Sequence, residues 1–379
     1  MSGATPSRKT YEVVIVGGGI AGAALAYFLA ERGVTDVLLL ERESQPGYHA
    51  TGRSAATLNE LDAVSTLQRL KVLSAPFLRQ PPAGFAENRL LIPSGVMTLF
   101  REPMWSALRG AAPSFEADGL HLELLETAEV VARVPILSAA ELDGAVLVPG
   151  DGHIDVHELL TSYLRHAARR GAERLFGVEV QSIHVEGGRC TGVVTDAGVI
   201  AARWVVDAAG AWAGRVAATA GALPIPLVPH RRTIVTFAAP DDVPVARWPM
   251  VASDPHRIYF APESGGLLLS PMDETPMEPC DARPDDVAVA AGLERLRALA
   301  SRLVPHTLRR KWAGLRTFAP DRVPVVGEDP QRRGFFWLAG QGGCGIETSP
   351  ILGAIAADLI VEGKTERFDA RDLSPARFG

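Results

Sequence analysis

Cysteine is scarce in this chain: Cys190, Cys280 and Cys344 are the only three in 379 residues, with no CxxC or Cys/His spacing among them. That excludes a structural zinc site and a disulfide scaffold, and an odd, low count fits a reducing, cytoplasmic compartment. Long apolar runs are missing too, since none approaches the roughly 20 residues that span a bilayer. The opening MSGATPSRKT leads into a strand too short to be the core of a signal peptide. Nor is there a surplus of positive charge. A formal net charge of −6 gives no global attraction to nucleic acid or to anionic lipid.

What is present is a nucleotide-binding pattern. At 379 residues the chain exceeds one comfortable hydrophobic core, so two domains are expected. Val13 to Val16 form a short apolar strand of the buried, parallel type. Gly17, Gly19 and Gly22 follow at GxGxxG spacing, with Ile20 and Ala21 opening an alanine-rich helix. Gly17 permits the tight turn, Gly19 lets the backbone approach a pyrophosphate, and Gly22 lets helix and strand pack closely. The helix N-terminus offers free N–H groups and a positive dipole end to phosphates. Val37 to Leu40 make a second strand that ends at Glu41, whose carboxylate can accept both ribose hydroxyls of an adenosine. This describes an ADP-containing cofactor, FAD or NAD.

Three later segments bear on that choice. The loop ESQPGYHATGRSAATLNE is rich in Gly, Ser and Thr, with Thr51, Gly52, Arg53, Ser54 and Ala56 inside it. It reads either as a surface loop or as N–H donors and a cation for a polyphosphate. RWVVDAAGAWAG is a buried strand ending in the small residues Ala209 and Gly210, with Trp212 close behind. GFFWLAGQGGCGIETSPILGAIAADLI repeats the logic: a strand at Phe335 to Ala339, a glycine loop at Gly340 to Gly345, then a helix with Ser349 as N-cap and Pro350 at N1. The N-terminus of that helix, aimed at a flavin ring, would stabilise a reduced flavin. Asp151 and His153 read as loop residues, and Asp155 with Glu158 as a capping box.

With these motifs assembled, the chain resembles the D-amino-acid oxidase-like FAD-dependent oxidoreductases, and within them the bacterial FAD-dependent D-arginine dehydrogenase type. The likeness covers nearly the whole chain and is densest at Glu41–Ala56, PHRRT (Pro229–Thr233), WAGLRTF (Trp312–Phe318) and Phe335–Ser349. It implies an α/β fold with a Rossmann-like FAD domain of the glutathione-reductase kind. That domain would be assembled from residues 1–75, 145–215 and 318–379. A second domain, a mostly antiparallel sheet with helices, would come from 76–144 and 216–317. The resemblance also implies non-covalent FAD held by the residues already named together with Arg42, Val180, Gly314, Arg316, Gly342, Gly343, Cys344, Gly345, Ile346, Glu347 and Thr348.

By the same resemblance the chain oxidises the Cα–N bond of a D-amino acid or a related small amine. Hydride passes to flavin N5, the imine hydrolyses to a 2-oxo acid, and oxygen or a quinone accepts the electrons. Such a reaction needs orientation more than acid–base machinery, and a guanidinium grips a carboxylate through two parallel bonds. Arg316 is the implied carboxylate ligand, supported by Tyr259 and by Arg232, a role neighbouring Arg231 could fill instead. Gln341 and His49 complete the candidate catalytic set.

Departures narrow the substrate. Val96 stands where the D-arginine dehydrogenase pattern has an acid for the distal guanidinium, and Thr57 and Asp62 replace its loop histidine and tyrosine. Arginine and lysine are therefore expected to be poor substrates unless Asp62 or Glu60 points inward. Cys344 replaces an aromatic residue, while Thr317 and Phe318 offer no cysteine for covalent attachment. Two alternatives stay open. A 2-hydroxy acid could be oxidised with His49 as base, or the chain could be a flavin-bearing subunit of a larger complex.

Overall fold

In a computed structural model, which describes residues 5–379, the chain builds two large sheets and a small one. The first large sheet has eight strands around a parallel core. That core runs Phe335–Ala339, Gly198–Asp207, Thr10–Val16, Val37–Glu41 and Glu173–Phe176. Apart from the edge strand Glu173–Phe176, these strands bury apolar residues on both faces, as a parallel sheet covered on both sides requires. The Ile20–Glu31 helix is buried along most of its length for the same reason. It lies against the closing helix Ser349–Glu362, where a Cβ at Gly353 would stand 2.8 Å from the Phe28 ring. Only a glycine permits that approach.

The second sheet has ten strands and is mostly antiparallel. Its long central pair, Val228–Ala238 and Arg310–Phe318, sets a register in which His230 faces Arg316 and Arg232 faces Gly314. Opposed residues in such a pair share one face, so His230, Arg232, Ile234, Trp312, Gly314 and Arg316 all look the same way. Across the neighbouring strands the same face continues through Leu268, Tyr259, Met250 and Val96. The fold is therefore α/β with a second, largely antiparallel sheet. None of the described helices is long and apolar enough to cross a membrane.

Local details differ from the sequence expectations in four places. The strand Gly144–Val148 belongs to the second sheet, paired with Val96–Phe100, so a boundary at residue 145 cuts through a strand; the chain leaves that sheet only after Val148. A boundary at residues 215 and 216 likewise falls inside the helix Ala213–Ala220. Ser349 is the first helical residue rather than the N-cap, which is Thr348, and its hydroxyl donates to the Ile346 carbonyl. Asp155 caps its helix by accepting from Glu158 N, but the Glu158 carboxylate accepts from Glu87 N and Asn88 instead of closing the box. Asp151 is fully buried, and one oxygen accepts from Glu60 N at 2.8 Å.

Candidate functional site

The glycine turn at the end of the first strand behaves as its spacing demands. Gly17 has φ +116°, and a Cβ there would lie 2.4 Å from the Ala208 carbonyl oxygen. A Cβ at Gly22 would come within 2.1 Å of the Gly17 oxygen, so this residue sets the distance between helix and strand. Gly19 is different: only Thr51 Oγ1 stands near, at 3.3 Å, and its open side borders a cavity. Thr51 Oγ1 accepts from Ile20 N at 3.1 Å, tying the glycine-rich loop to the helix N-terminus.

That cavity, about 340 Å³, is lined by Gly17, Gly19, Glu41, Arg42, Thr51, Arg53, Val180, Ala209, Gly210, Trp212 and Gly314. Glu41 is oriented by the backbone, its two oxygens accepting from Gly18 N at 2.8 Å and Glu43 N at 2.9 Å. Arg42 lies 3.9 Å over the Trp212 ring. An acid, a cation on an indole and an unobstructed glycine turn fit the adenosine and pyrophosphate of FAD. His49 sits at this end, with Nε2 2.8 Å from Glu43 and 3.2 Å from Arg42, and its ring against Trp212. The fold does not bring it to Arg316. Arg53 also borders the cavity, but its guanidinium is paired with Asp281 at 2.6 Å.

A second cavity of about 80 Å³ adjoins the first, sharing Ala50, Thr51, Arg53, Gly314 and Leu315 with it. Its other walls include Ile20, Ser54, Ala55, Arg232, Ile234, Arg316, Gly342, Gly343, Gly345 and Ile346. Gly342 has φ +56°, and a Cβ on Gly343 would meet Arg316 Nη1 at 2.7 Å, so the glycine loop rests directly on the guanidinium. Half-buried Arg316 has no hydrogen-bond or ion-pair partner among the described residues.

Arg232 is 4% exposed; Nε donates to the Asp273 carbonyl and Nη2 to Glu274, leaving Nη1 buried without a partner. The Tyr259 hydroxyl, equally buried, is also unpartnered. Buried donors without acceptors are costly, so Arg232 Nη1 and Tyr259 Oη, with the half-buried Arg316 on the same sheet face, suit an anion as their partner. Between the two arginines, Arg231 is excluded: it points to the opposite face and pairs with Asp273 and Asp285. Burial, and then the nearby Arg316 charge, pull the Arg232 guanidinium down to about 10. Arg232 stays a cation at neutral pH, and its unpartnered Nη1 should add to the binding of a simple carboxylate such as acetate. Titrating acetate against flavin absorbance in the parent and in Arg232→Met checks this, since the variant should bind acetate more weakly.

Several candidates are placed outside both cavities. Gln341 Nε2 donates to the Leu338 carbonyl at 3.0 Å. Thr348 Oγ1 donates to the Cys344 carbonyl, and Glu347 turns away to accept from Asn59 N at 2.7 Å. Burial pushes the Cys344 thiol up to about 12, so it stays protonated at neutral pH. Ala21, Gly22 and Ala56 pack behind the lining, and Gly52 borders an outer groove beside Asp281. The last helix does not present its N-terminus to the cavity. Ile351 N donates to Ser74 Oγ, and the loop ahead of that helix forms the wall instead. Conversely, Gln181, Thr219, Cys280 and Ala282 line the first cavity with no signal in the sequence, because their loops carry no motif.

The sequence profile of the FAD dependent oxidoreductase family matches residues 12–359. Glycine oxidase of Geobacillus kaustophilus (strain HTA426) is 32% identical over 392 residues, covering 97% of each chain. Its solved structure aligns with a TM-score of 0.83 at 30% identity, covering 97% of this chain and 98% of that one. L-proline dehydrogenase from P. horikoshii aligns with a TM-score of 0.87 at 24% identity and 98% coverage of both chains, a likeness of fold. These relatives do not single out the D-arginine dehydrogenase type.

Proposed function

The chain belongs to the FAD dependent oxidoreductase family, and from that premise we propose that it oxidises the Cα–N bond of a small, neutral D-amino acid or related amine. The product would be an imine that takes up water and releases ammonia to leave a 2-oxo acid, with oxygen or a quinone as final acceptor. The observation that carries this reading is the unpartnered Arg316 beside the glycine loop, with Arg232 Nη1 and Tyr259 Oη buried without partners on the same sheet face. Bound FAD supplies the two-electron acceptor.

The residues of the chain do the positioning. Gly19, Thr51 and Glu41 would hold the ADP half, while Gly342, Gly343 and Gly345 leave room for the ring. Arg316 would take the substrate carboxylate in a bidentate grip, with Arg232 and Tyr259 closing on its outer oxygen. Val96, Met250, Ile234 and Leu268 form an apolar stretch of the same face, where a side chain would lie.

Glu60 pairs with Arg79, and Asp62 with Lys71 at 2.7 Å, so neither carboxylate is available to a cationic substrate. D-arginine and D-lysine should accordingly show kcat/KM at least about tenfold below D-alanine, the penalty for an unpaired charge in an apolar site. A steady-state comparison in which D-arginine outperforms every neutral D-amino acid would sink that expectation. The 2-hydroxy acid reading loses its base, because His49 is engaged with Glu43 at the nucleotide end.

Anaerobic mixing of the holoenzyme with D- and L-amino acids, N-methyl amines and 2-hydroxy acids tests the proposal through loss of flavin colour. Bleaching by neutral D-amino acids or small amines is the expected result. Bleaching by hydroxy acids alone would reject it, and no bleaching by any compound would favour a flavin-bearing subunit.

A further inference from the structure

Behind the glycine loop lies a buried charge cluster that the binding of a carboxylate does not use. Lys71, on the helix Ser65–Arg79, is 2% exposed. Its ammonium contacts Asp62 at 2.7 Å and Glu347 at 3.2 Å. Glu347 accepts in turn from Asn59 N at 2.7 Å, and Asp62 from Val64 N at 2.9 Å. One ammonium thus joins three separate pieces of chain. They are the helix, the 59–64 loop that follows the short strand Thr57–Leu58, and the end of the glycine loop that borders Arg316.

Burial alone would favour a neutral amine. The carboxylates of Glu347 and Asp62 on either side oppose that and favour the ammonium. A buried lysine between two carboxylates is poor evidence of stability, because desolvation consumes most of the attraction. Its value lies in geometry. Thr348, next to Glu347, donates to the Cys344 carbonyl, and Gly343 leaves little room, since a Cβ there would meet Arg316 Nη1 at 2.7 Å.

We infer that Lys71 is a positioning residue, which through Glu347 holds the glycine loop in register with Arg316 and so sets both the flavin environment and the grip on the carboxylate. This rests on the flavin and carboxylate assignments above but is tested apart from them. Loss of a loop anchor should be felt at the ring and at the seat, while the ADP half, held from the other sheet, is spared.

The experiment compares Glu347→Gln with the charge-free triple variant Lys71→Met/Asp62→Asn/Glu347→Gln, which leaves no unpaired buried charge if Lys71→Met alone fails to fold. Three readouts on purified holoenzyme are used: FAD content, the visible flavin spectrum and the dissociation constant of acetate. The expected result is near-full FAD content with a shifted flavin spectrum and acetate binding weakened about tenfold or more, since a displacement near 1 Å can cost up to about 100-fold. A folded, FAD-loaded variant with the parent spectrum and parent acetate affinity would overturn the inference and leave Lys71 merely structural. Loss of FAD with folding intact would also overturn it, by assigning the cluster to cofactor retention. Failure of the flavin reading itself would look different, because the parent protein would then carry no flavin.

Discussion

Arg316→Leu lowers kcat/KM by about 100-fold or more for whichever amino acid bleaches the flavin, while FAD content stays near that of the parent. The magnitude follows from removing one member of a desolvated charge pair, which costs about 2–5 kcal/mol, at 1.4 kcal/mol per factor of ten. Arg316 is the cation in this region with no partner of its own among the described residues, whereas Arg231, Arg232 and Arg322 all face carboxylates. A ligand carboxylate is thus its natural counter-charge. Arg316→Lys should recover only part of the loss, because an ammonium keeps the charge but not the planar two-point geometry. Steady-state kinetics with acetate binding measured alongside separates the two effects. Leucine and arginine enzymes of equal kcat/KM would remove Arg316 from the site.

Gly17→Ala gives a folded protein that retains less than about a tenth of its flavin. Two penalties coincide at this position: a φ of +116°, which side chains adopt only at a cost of about 1–3 kcal/mol, and a Cβ driven to 2.4 Å from the Ala208 carbonyl. The turn can relax only by moving toward the cavity where the pyrophosphate would lie. Gly22→Ala tests the alternative that any glycine would do. Its Cβ meets the Gly17 oxygen at 2.1 Å, so the strain falls between helix and strand, and the loss should show first in the thermal midpoint. Absorbance of the purified variants and their melting curves distinguish the two. Full flavin occupancy in Gly17→Ala would contradict the assignment of this turn.

Much of the nucleotide end was legible because each residue there acts locally. Gly17, Gly19, Gly22 and Glu41 are fixed by the spacing of one strand–turn–helix–strand unit, and period and backbone sterics leave few alternatives. The seat was harder to read. Arg316, Arg232 and Tyr259 come from strands separated in sequence, and only the register His230 opposite Arg316 puts them on one face. A resemblance could nominate them, but choosing Arg232 over Arg231 required strand alternation and the ion pairs of Arg231. His49 and Glu347 show the opposite failure. Both sit in motifs of the right kind, yet their side chains are claimed by neighbours distant in sequence or by a local acid. Motif position specifies a backbone location, and the partner of a polar side chain is decided by packing.

The partition wall between the two cavities has a thermodynamic consequence. Thr51, Arg53, Gly314 and Leu315 face both chambers, so whatever fills one biases the conformations of residues that receive the other occupant. Linkage then demands reciprocity: if a carboxylate ligand raises the affinity for the dinucleotide by some factor, the dinucleotide raises the affinity for the ligand by the same factor. Cofactor saturation and substrate affinity are on this account a single coupled equilibrium, and each has meaning only at a stated concentration of the other.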